Sequence, residues 1–249
     1  MSGHSKWATI KHKKGATDAK RGKMFTKIIK EITVAARMGG SDVSSNPRLR
    51  RAVGDAKAYQ MPADTITRAC KRGAGELEGA SYDEVLYEGT GPGGTLFLVD
   101  GMTDNRNRTV AELRKIFERN GGVLGQSGTA NWAFDRVGVV HVVKDGVTED
   151  ALMDVALAAG AEDYSDAGET WQVICQVEAL DGLSKVIEAK YAVKEANIQY
   201  LPKNKKAVEG RDAELAIQLA DLLDDHDDVQ NVFADFDVSD EELSRIAGA

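Results

Sequence analysis

The sequence is poor in the residues that staple or metallate a fold. Among 249 residues it has two cysteines, Cys70 and Cys175, and four histidines, His4, His12, His141 and His226. Two cysteines so far apart cannot form a disulfide framework, so reduced thiols in a cytosolic protein are expected. The histidines and cysteines show no metal-ligand spacing, and no zinc site or other cofactor is implied. Apolar runs never approach the eighteen or so residues that a membrane span needs, and the N-terminus lacks the apolar core of a secretory signal. No serine, cysteine or carboxylate stands in a recognisable nucleophile–base–orienter set, which argues against an enzyme. What remains is ordinary soluble composition, 42% hydrophobic and 29% charged, with enough chain for more than one core.

Charge is unevenly spread. The first forty residues carry ten basic side chains (Lys6, Lys11, Lys13, Lys14, Lys20, Arg21, Lys23, Lys27, Lys30 and Arg37) against Asp18 and Glu31, so 10 − 2 = +8 in a chain of formal charge −8. Residues 1–79 hold 17 basic and 7 acidic side chains, net +10, which leaves −18 for residues 80–249. A cationic end on an acidic chain suits a polyanion, because each phosphate neutralised by Lys or Arg releases condensed counterions. The acidic remainder offers another way to satisfy it: the N-terminal region could dock on the chain's own carboxylates.

Within the basic segment, residues 1–22 show no apolar period and are broken by Gly3, Gly15 and Gly22, so they are expected to form an extended arm. Trp7 and His12 lie within it, Trp7 able either to stack on a base or to anchor the arm. From Lys23 the spacing predicts a helix. Phe25, Ile28, Ile29, Ile32, Ala35 and Ala36 share one face and Lys23, Lys27, Lys30 and Arg37 the opposite one, with Gly39-Gly40 as the stop. The candidate nucleic-acid contacts are therefore Lys6, Trp7, Lys11, His12, Lys13, Lys14, Lys20, Arg21, Lys23, Lys27 and Lys30.

Two further helices are expected, from the Asn46-Pro47 cap to about Met61 and from about Asp64 to Arg72, completing a three-helix bundle. GAGELEG (Gly73–Gly79) then has the composition of a linker. Strands are expected over Tyr82–Glu88 and Thr95–Met102, followed by a helix from about Asn107 to Asn120. Gly89, Gly91 and Gly94 match G-x-G-x-x-G, but Pro92 interrupts them and a strand follows, so a hairpin turn is the better reading than a phosphate loop. Thr103–Thr109 crosses into a helix start, where Asp104 and Asn105 suit capping and Arg106 and Arg108 could bind an anion. Residues 137–201 read β-α-β-β-α-β, the order of the ferredoxin-like split motif. A helix near Arg211–Leu223 and a strand Asn231–Asp237 follow, and could complete the sheet begun at residues 82–102. The expected fold is thus multidomain α and α+β. A basic helical domain occupies 1–79, and a discontinuous α+β domain 80–135 plus 204–249. A ferredoxin-like domain, 136–203, is inserted in it. The run Asp224–Asp228 is expected to be a solvated acidic face, since it lacks the glycine and spacing of a calcium loop.

Several words occur together and in order: Gly3-His4-Ser5-Lys6-Trp7, Asp18–Lys23, Asn46-Pro47-Arg48-Leu49-Arg50, Tyr87-Glu88-Gly89 with Gly91-Pro92-Gly93-Gly94, and Thr103–Val110. With them the chain resembles the YebC/PmpR family along essentially its whole length. That family includes the mitochondrial translational activator of cytochrome c oxidase subunit I. The resemblance implies a helical N-terminal domain and two α+β domains, one inserted in the other. It also implies regulation of gene expression without catalysis, for family members carry the label of transcriptional regulators that bind DNA. Others resemble translation factors that act on the ribosome, including at proline-rich stalls. The family's GSVAYLF-type segment stands here as Gly128–Phe134, with Trp132 in its middle. Because the family motif begins at residue 3, no presequence is expected and the cytosol is the implied setting.

No helix-turn-helix, zinc finger or RNA-recognition aromatic motif is present, so base-specific readout is not expected. Either DNA or ribosomal RNA fits a phosphate-directed contact, and a protein partner fits the acidic domains. The expected state is a monomer or weak dimer. The rival classes are a protein-interaction module that ignores nucleic acid and a phosphate-handling enzyme built on Arg106 and Arg108.

Overall fold

The computed structural model describes residues 18–247, with eight helices and antiparallel sheets. Two compact units emerge among the described residues, one made of the chain from Asp18 to Thr129 with Leu215–Val232, the other of Ala130–Glu214 with the chain from Phe233 on. The expected boundary near residue 80 falls inside the first unit.

In that unit three helices share one core. Helix α1 runs from Asp18 to Gly39, α2 from Pro47 to Ala58 and α3 from Ala63 to Gly73. Ile28, Ile32, Ala35 and Ala36 of α1 meet Leu49, Ala52, Val53 and Ala56 of α2, with Met61 and with Ile66 and Ala69 of α3. These are the apolar positions that helical spacing selects. One boundary differs: residues 18–22, expected to be part of the arm, are the first turn of α1. Gly22 costs a helix about 1 kcal/mol relative to Ala, but Ala19, Lys20, Arg21 and Met24 are good helix formers around it. Asn46 joins two helices. Its Oδ1 accepts from Leu49 N at 3.1 Å, while its Nδ2 donates to Ala35 O and Gly40 O, both at 2.8 Å. Gly40, with φ 85°, ends α1 in the left-handed conformation. Asp64 lies in the first turn of α3 and pairs with Arg68 at 3.0 Å.

The same unit holds a four-stranded sheet. β1 (Asp83–Thr90) and β2 (Leu96–Thr103) form an antiparallel hairpin closed by a 3₁₀ turn, Pro92–Gly94, in which Gly93 and Gly94 have φ of 66° and 71°. The glycine triplet is therefore a hairpin turn. Helix α4 (Arg106–Arg119) lays Leu113 and Phe117 on the sheet, with the Phe117 ring edge-to-face on Phe97 at 6.0 Å. β3 (Val123–Leu124) pairs with β1.

In the second unit β4 (Phe134–Val143), α5 (Glu149–Ala158), β5 (Asp163–Asp166), β6 (Thr170–Cys175), α6 (Leu180–Glu188) and β7 (Val193–Pro202) follow in chain order. Their strands make an antiparallel sheet in the order β5-β6-β4-β7. Val140, Val142, Val173 and Cys175 face Leu152 and Ala156 of α5 and Leu180, Leu183 and Ile187 of α6. β8 (Lys206–Ala207) and α7 (Gly210–Asp224) come next. The expected strand over Asn231–Asp237 is split: β9 (Val229–Ala234) lies beside β2, giving the order β3-β1-β2-β9. β10 (Phe236–Asp237) instead pairs with β8 in parallel. The break falls at Asp235, whose carbonyl accepts from Lys206 N at 2.8 Å. Helix α8 (Asp240–Ala247) closes the described chain. No helix among the described residues is long and apolar enough to cross a membrane. No cluster of three or more His, Cys, Asp or Glu among them could hold a metal ion.

Candidate nucleic-acid interface

Lys6, Trp7, Lys11, His12, Lys13 and Lys14 lie outside the described residues. Lys20 falls in α1 with its side chain outside them. The other candidates can be placed. Arg21 is exposed, its guanidinium carbon 5.6 Å from the centre of the Phe25 ring.

The basic face of α1, a candidate to meet a polyanion, takes the other course that the sequence left open, docking on the chain's own carboxylates. It is turned onto the run Asp224–Asp228 within the same unit. Lys23 Nζ lies 2.5 Å from an Asp225 carboxylate oxygen. Lys27 Nζ reaches the carbonyl of Asp224 at 2.9 Å, its carboxylate at 3.2 Å and Gln230 O at 3.4 Å. Lys30 is buried, donating to Asp228 Oδ1 at 2.6 Å, Asp227 O at 2.8 Å and Met102 O at 3.2 Å. Arg37 donates to Ser81 Oγ at 2.6 Å and Tyr82 O at 2.7 Å. The reason is elementary. A four-carbon ammonium is buried at tolerable cost only where carboxylate and carbonyl oxygens replace its water, and the exposed ends of α7 and of the turn after it supply them. Lys27 and Lys30 are thereby engaged by the chain's own oxygens, and Asp224 and Asp228 serve as their counter-charges.

Asp228 is the centre of this arrangement. Besides Lys30 it accepts from Arg108 Nη2 at 2.7 Å, Thr109 Oγ1 at 2.7 Å and Thr103 Oγ1 at 3.2 Å. Burial works to raise its carboxyl, but hydrogen bonds from Lys30, Arg108 and Thr109 and the charge of Lys30 outweigh that and hold it well below the usual carboxylate range. The turn reaches β2 closely, where Met102 N donates to Asp228 O at 2.8 Å. A Cβ placed on Gly101 would lie 2.5 Å from that same oxygen.

Thr103–Thr109 follows the capping reading. Asn105 Oδ1 accepts from Arg108 N at 3.1 Å and caps α4. Arg108 is committed to Asp228 and to Asp104 at 2.9 Å, whose hydrogen bonds push its pKa up. Arg106 Nε pairs with Asp83 at 3.0 Å. Carboxylates of the chain thus stand beside both arginines that could bind an anion. Arg48 is held likewise, by Glu31 at 2.6 and 2.9 Å and Glu84 at 2.7 Å.

Spacing along the sequence did not single out the end of the β4–β7 pair in the other unit. A 3₁₀ turn, Asn131–Ala133, precedes β4 and presents the Trp132 indole 67% exposed. Lys203, just after β7, donates through Nζ to Trp132 O at 3.1 Å and through its backbone N to Ala133 O at 2.9 Å. The available signal was an aromatic residue at one end of a strand whose partner strand ends in Lys-Asn-Lys-Lys.

Comparison with known proteins places the whole chain. The family described as "TACO1/YebC protein N-terminal domain" matches residues 5–76. "TACO1/YebC second and third domain" matches residues 82–236. A protein of Syntrophobacter fumaroxidans named "Probable transcriptional regulatory protein" is 53% identical over 249 residues, covering 99% of this chain and 100% of its own. One of Desulforapulum autotrophicum with the same designation is 51% identical over 242 residues, 97% of this chain and 98% of its own. Among solved structures, a conserved hypothetical protein of Aquifex aeolicus superposes with a TM-score of 0.85 at 41% identity, over 91% of this chain and 94% of that one.

Proposed function

The chain belongs to the TACO1/YebC family, and on that premise we propose that it is a non-enzymatic, cytoplasmic regulator of gene expression that binds nucleic acid through its N-terminal segment. The relatives' designation as probable transcriptional regulatory proteins supports the regulatory reading. The observation that carries the binding reading is the charge of residues 1–22, six basic side chains against Asp18, 6 − 1 = +5, in a chain of net −8. With Lys27 and Lys30 engaged by Asp224 and Asp228, phosphate contact falls to Lys6, Lys11, Lys13, Lys14, Lys20 and Arg21, with Trp7 and His12 among them and Lys23 at the margin. Such contacts neutralise backbone charge without reading bases. The strand order β5-β6-β4-β7 with α5 and α6 is read as the ferredoxin-like split motif, and α1–α3 as a three-helix bundle carrying the basic segment.

Replacing Lys11, Lys13 and Lys14 together by Ala is expected to weaken binding to mixed-sequence duplex DNA and to structured RNA. The melting temperature should not change. The slope of log K against log salt should flatten by up to about 0.9 on duplex DNA for each phosphate that is no longer neutralised. Unchanged affinity and slope would overturn the reading.

A second target class is favoured by one feature: residues 80–249 carry net −18 and repel bare duplex DNA, whereas an acidic body can rest on protein while its basic end meets ribosomal RNA. Crosslinking in cells followed by sequencing separates the two, by recovery of promoter DNA or of ribosomal RNA.

A further inference from the structure

We propose that the end of the β4–β7 strand pair is a second nucleic-acid contact, a platform on which the Trp132 indole stacks a base of a single strand while neighbouring cations hold its phosphates. The inference rests on the reading that the protein binds nucleic acid. It concerns a surface far along the chain from the basic segment.

Three observations meet there. The indole is 67% exposed, yet its turn is fixed, because Ala130, Ala133 and Phe134 on either side of it are buried. Lys203 Nζ and the Lys203 backbone N both hold the turn's carbonyls. An aromatic face presented on an anchored turn loses little freedom when a base stacks on it. The third observation is charge. Residues 130–214 and 233–249 together carry 10 basic and 21 acidic side chains, net −11. Four of those ten (Arg136, Lys203, Lys205 and Lys206) flank this one strand end. In the register of β4 and β7, Arg136 lies opposite Tyr200 and Phe134 opposite Pro202, so Arg136 and Lys203 both belong to the end of the pair that bears Trp132. One carboxylate, Asp135, lies 3.5 Å from Lys203 Nζ. Lys203 is 47% exposed and its ammonium has three protons, so it can hold Trp132 O and still meet a phosphate. An aromatic among cations is the pairing that holds single strands without sequence preference, since every base has a face to stack and every nucleotide a phosphate.

The test titrates the full chain with fluorescein-labelled oligouridylate and, separately, with mixed-sequence duplex DNA, reading anisotropy. Trp132→Ala is expected to weaken binding to the single strand by roughly tenfold or more, with the melting temperature unchanged, and to leave duplex binding nearly as it was. Trp132→Phe keeps a stacking face and is expected to restore most of the loss. Replacing Lys203 and Lys205 together by Ala is expected to flatten the salt slope on the single strand by about 0.7 for each phosphate that is no longer neutralised. If the unaltered protein binds the oligouridylate and Trp132→Ala binds it equally, the platform is overturned and the N-terminal reading survives. If the unaltered protein binds neither probe, both fall.

Discussion

The two places where lysines gather on this protein behave in opposite ways. On α1, Lys23, Lys27 and Lys30 meet the carboxylates of Asp225, Asp224 and Asp228 at 2.5 to 3.2 Å, and the last pair is 7% and 5% exposed. At the end of β4 and β7, Lys203 has its carboxylate at 3.5 Å and stays half exposed beside an exposed indole. A basic stripe in a sequence, then, does not identify its own partner. Where the chain supplies an anion at close range the charge is used to fold. Where a lysine keeps about half of its surface in water, as Lys203 does, it can also meet something else.

The most severe test of this contrast lies at Asp228. Its replacement by Ala is expected to destabilise the protein by about 3–5 kcal/mol, because Lys30 would remain buried without its counter-charge. A urea midpoint within error of the unaltered protein would show the closed site to be ornamental. The pH dependence follows from the sign. The Asp228 carboxyl is held below its unfolded value, so its contribution is complete above about pH 4 and is lost as pH falls through the folded value. Asp228→Asn should therefore show a shallower loss of stability than the unaltered protein between roughly pH 5 and pH 3.

A smaller effect, of opposite sign, is expected at Asp100. Burial first, then the nearby charges of Glu31 and Glu84, push its carboxyl up to about 6, against a hydrogen bond from Asn231. A raised value means that the folded form is favoured below the unfolded pKa and that this advantage is lost as pH rises through about 6. Asp100→Asn is expected to stabilise the protein by about 1 kcal/mol near pH 8, a gain that fades toward pH 4. A gain that is the same at both pH values would mean that charge is not its cause. The smallest changes are expected at the exposed pairs. Lys23→Ala and Lys203→Ala should each move the urea midpoint by no more than about 0.5 kcal/mol equivalent, since water already screens both.

Much of the local structure was legible in the sequence. The Asn46-Pro47 cap, the Gly40 stop, the Asn105 cap and the hairpin around Pro92–Gly94 are written in residues a few positions apart, and spacing predicts them. The core faces of α1 and α2 follow from the same periodicity. The first turn of α1 was missed because Gly22 argues against a helix that its neighbours nonetheless carry. The strand expected over Asn231–Asp237 is split because pairing with β2 and with β8 are non-local events that no single-strand pattern contains. The fate of the basic face was hidden for the same reason. Lys27 and Asp224 are 197 positions apart, and complementary charge across such a distance suggests docking without specifying it. Trp132 carried no periodic signal at all, because an exposed aromatic on a turn belongs to no face.

Gly101 has a practical bearing on all of this. The backbone of Asp228 sits where a side chain at position 101 would be, and a Cβ there would come within 2.5 Å of its carbonyl oxygen. A hollow one methyl wide in β2 thus decides whether the acidic turn can come near enough to receive Lys30. Anyone transplanting the basic helix to another scaffold, or reshaping this sheet, would have to carry that hollow along, or the helix would arrive with a charge and no seat for it.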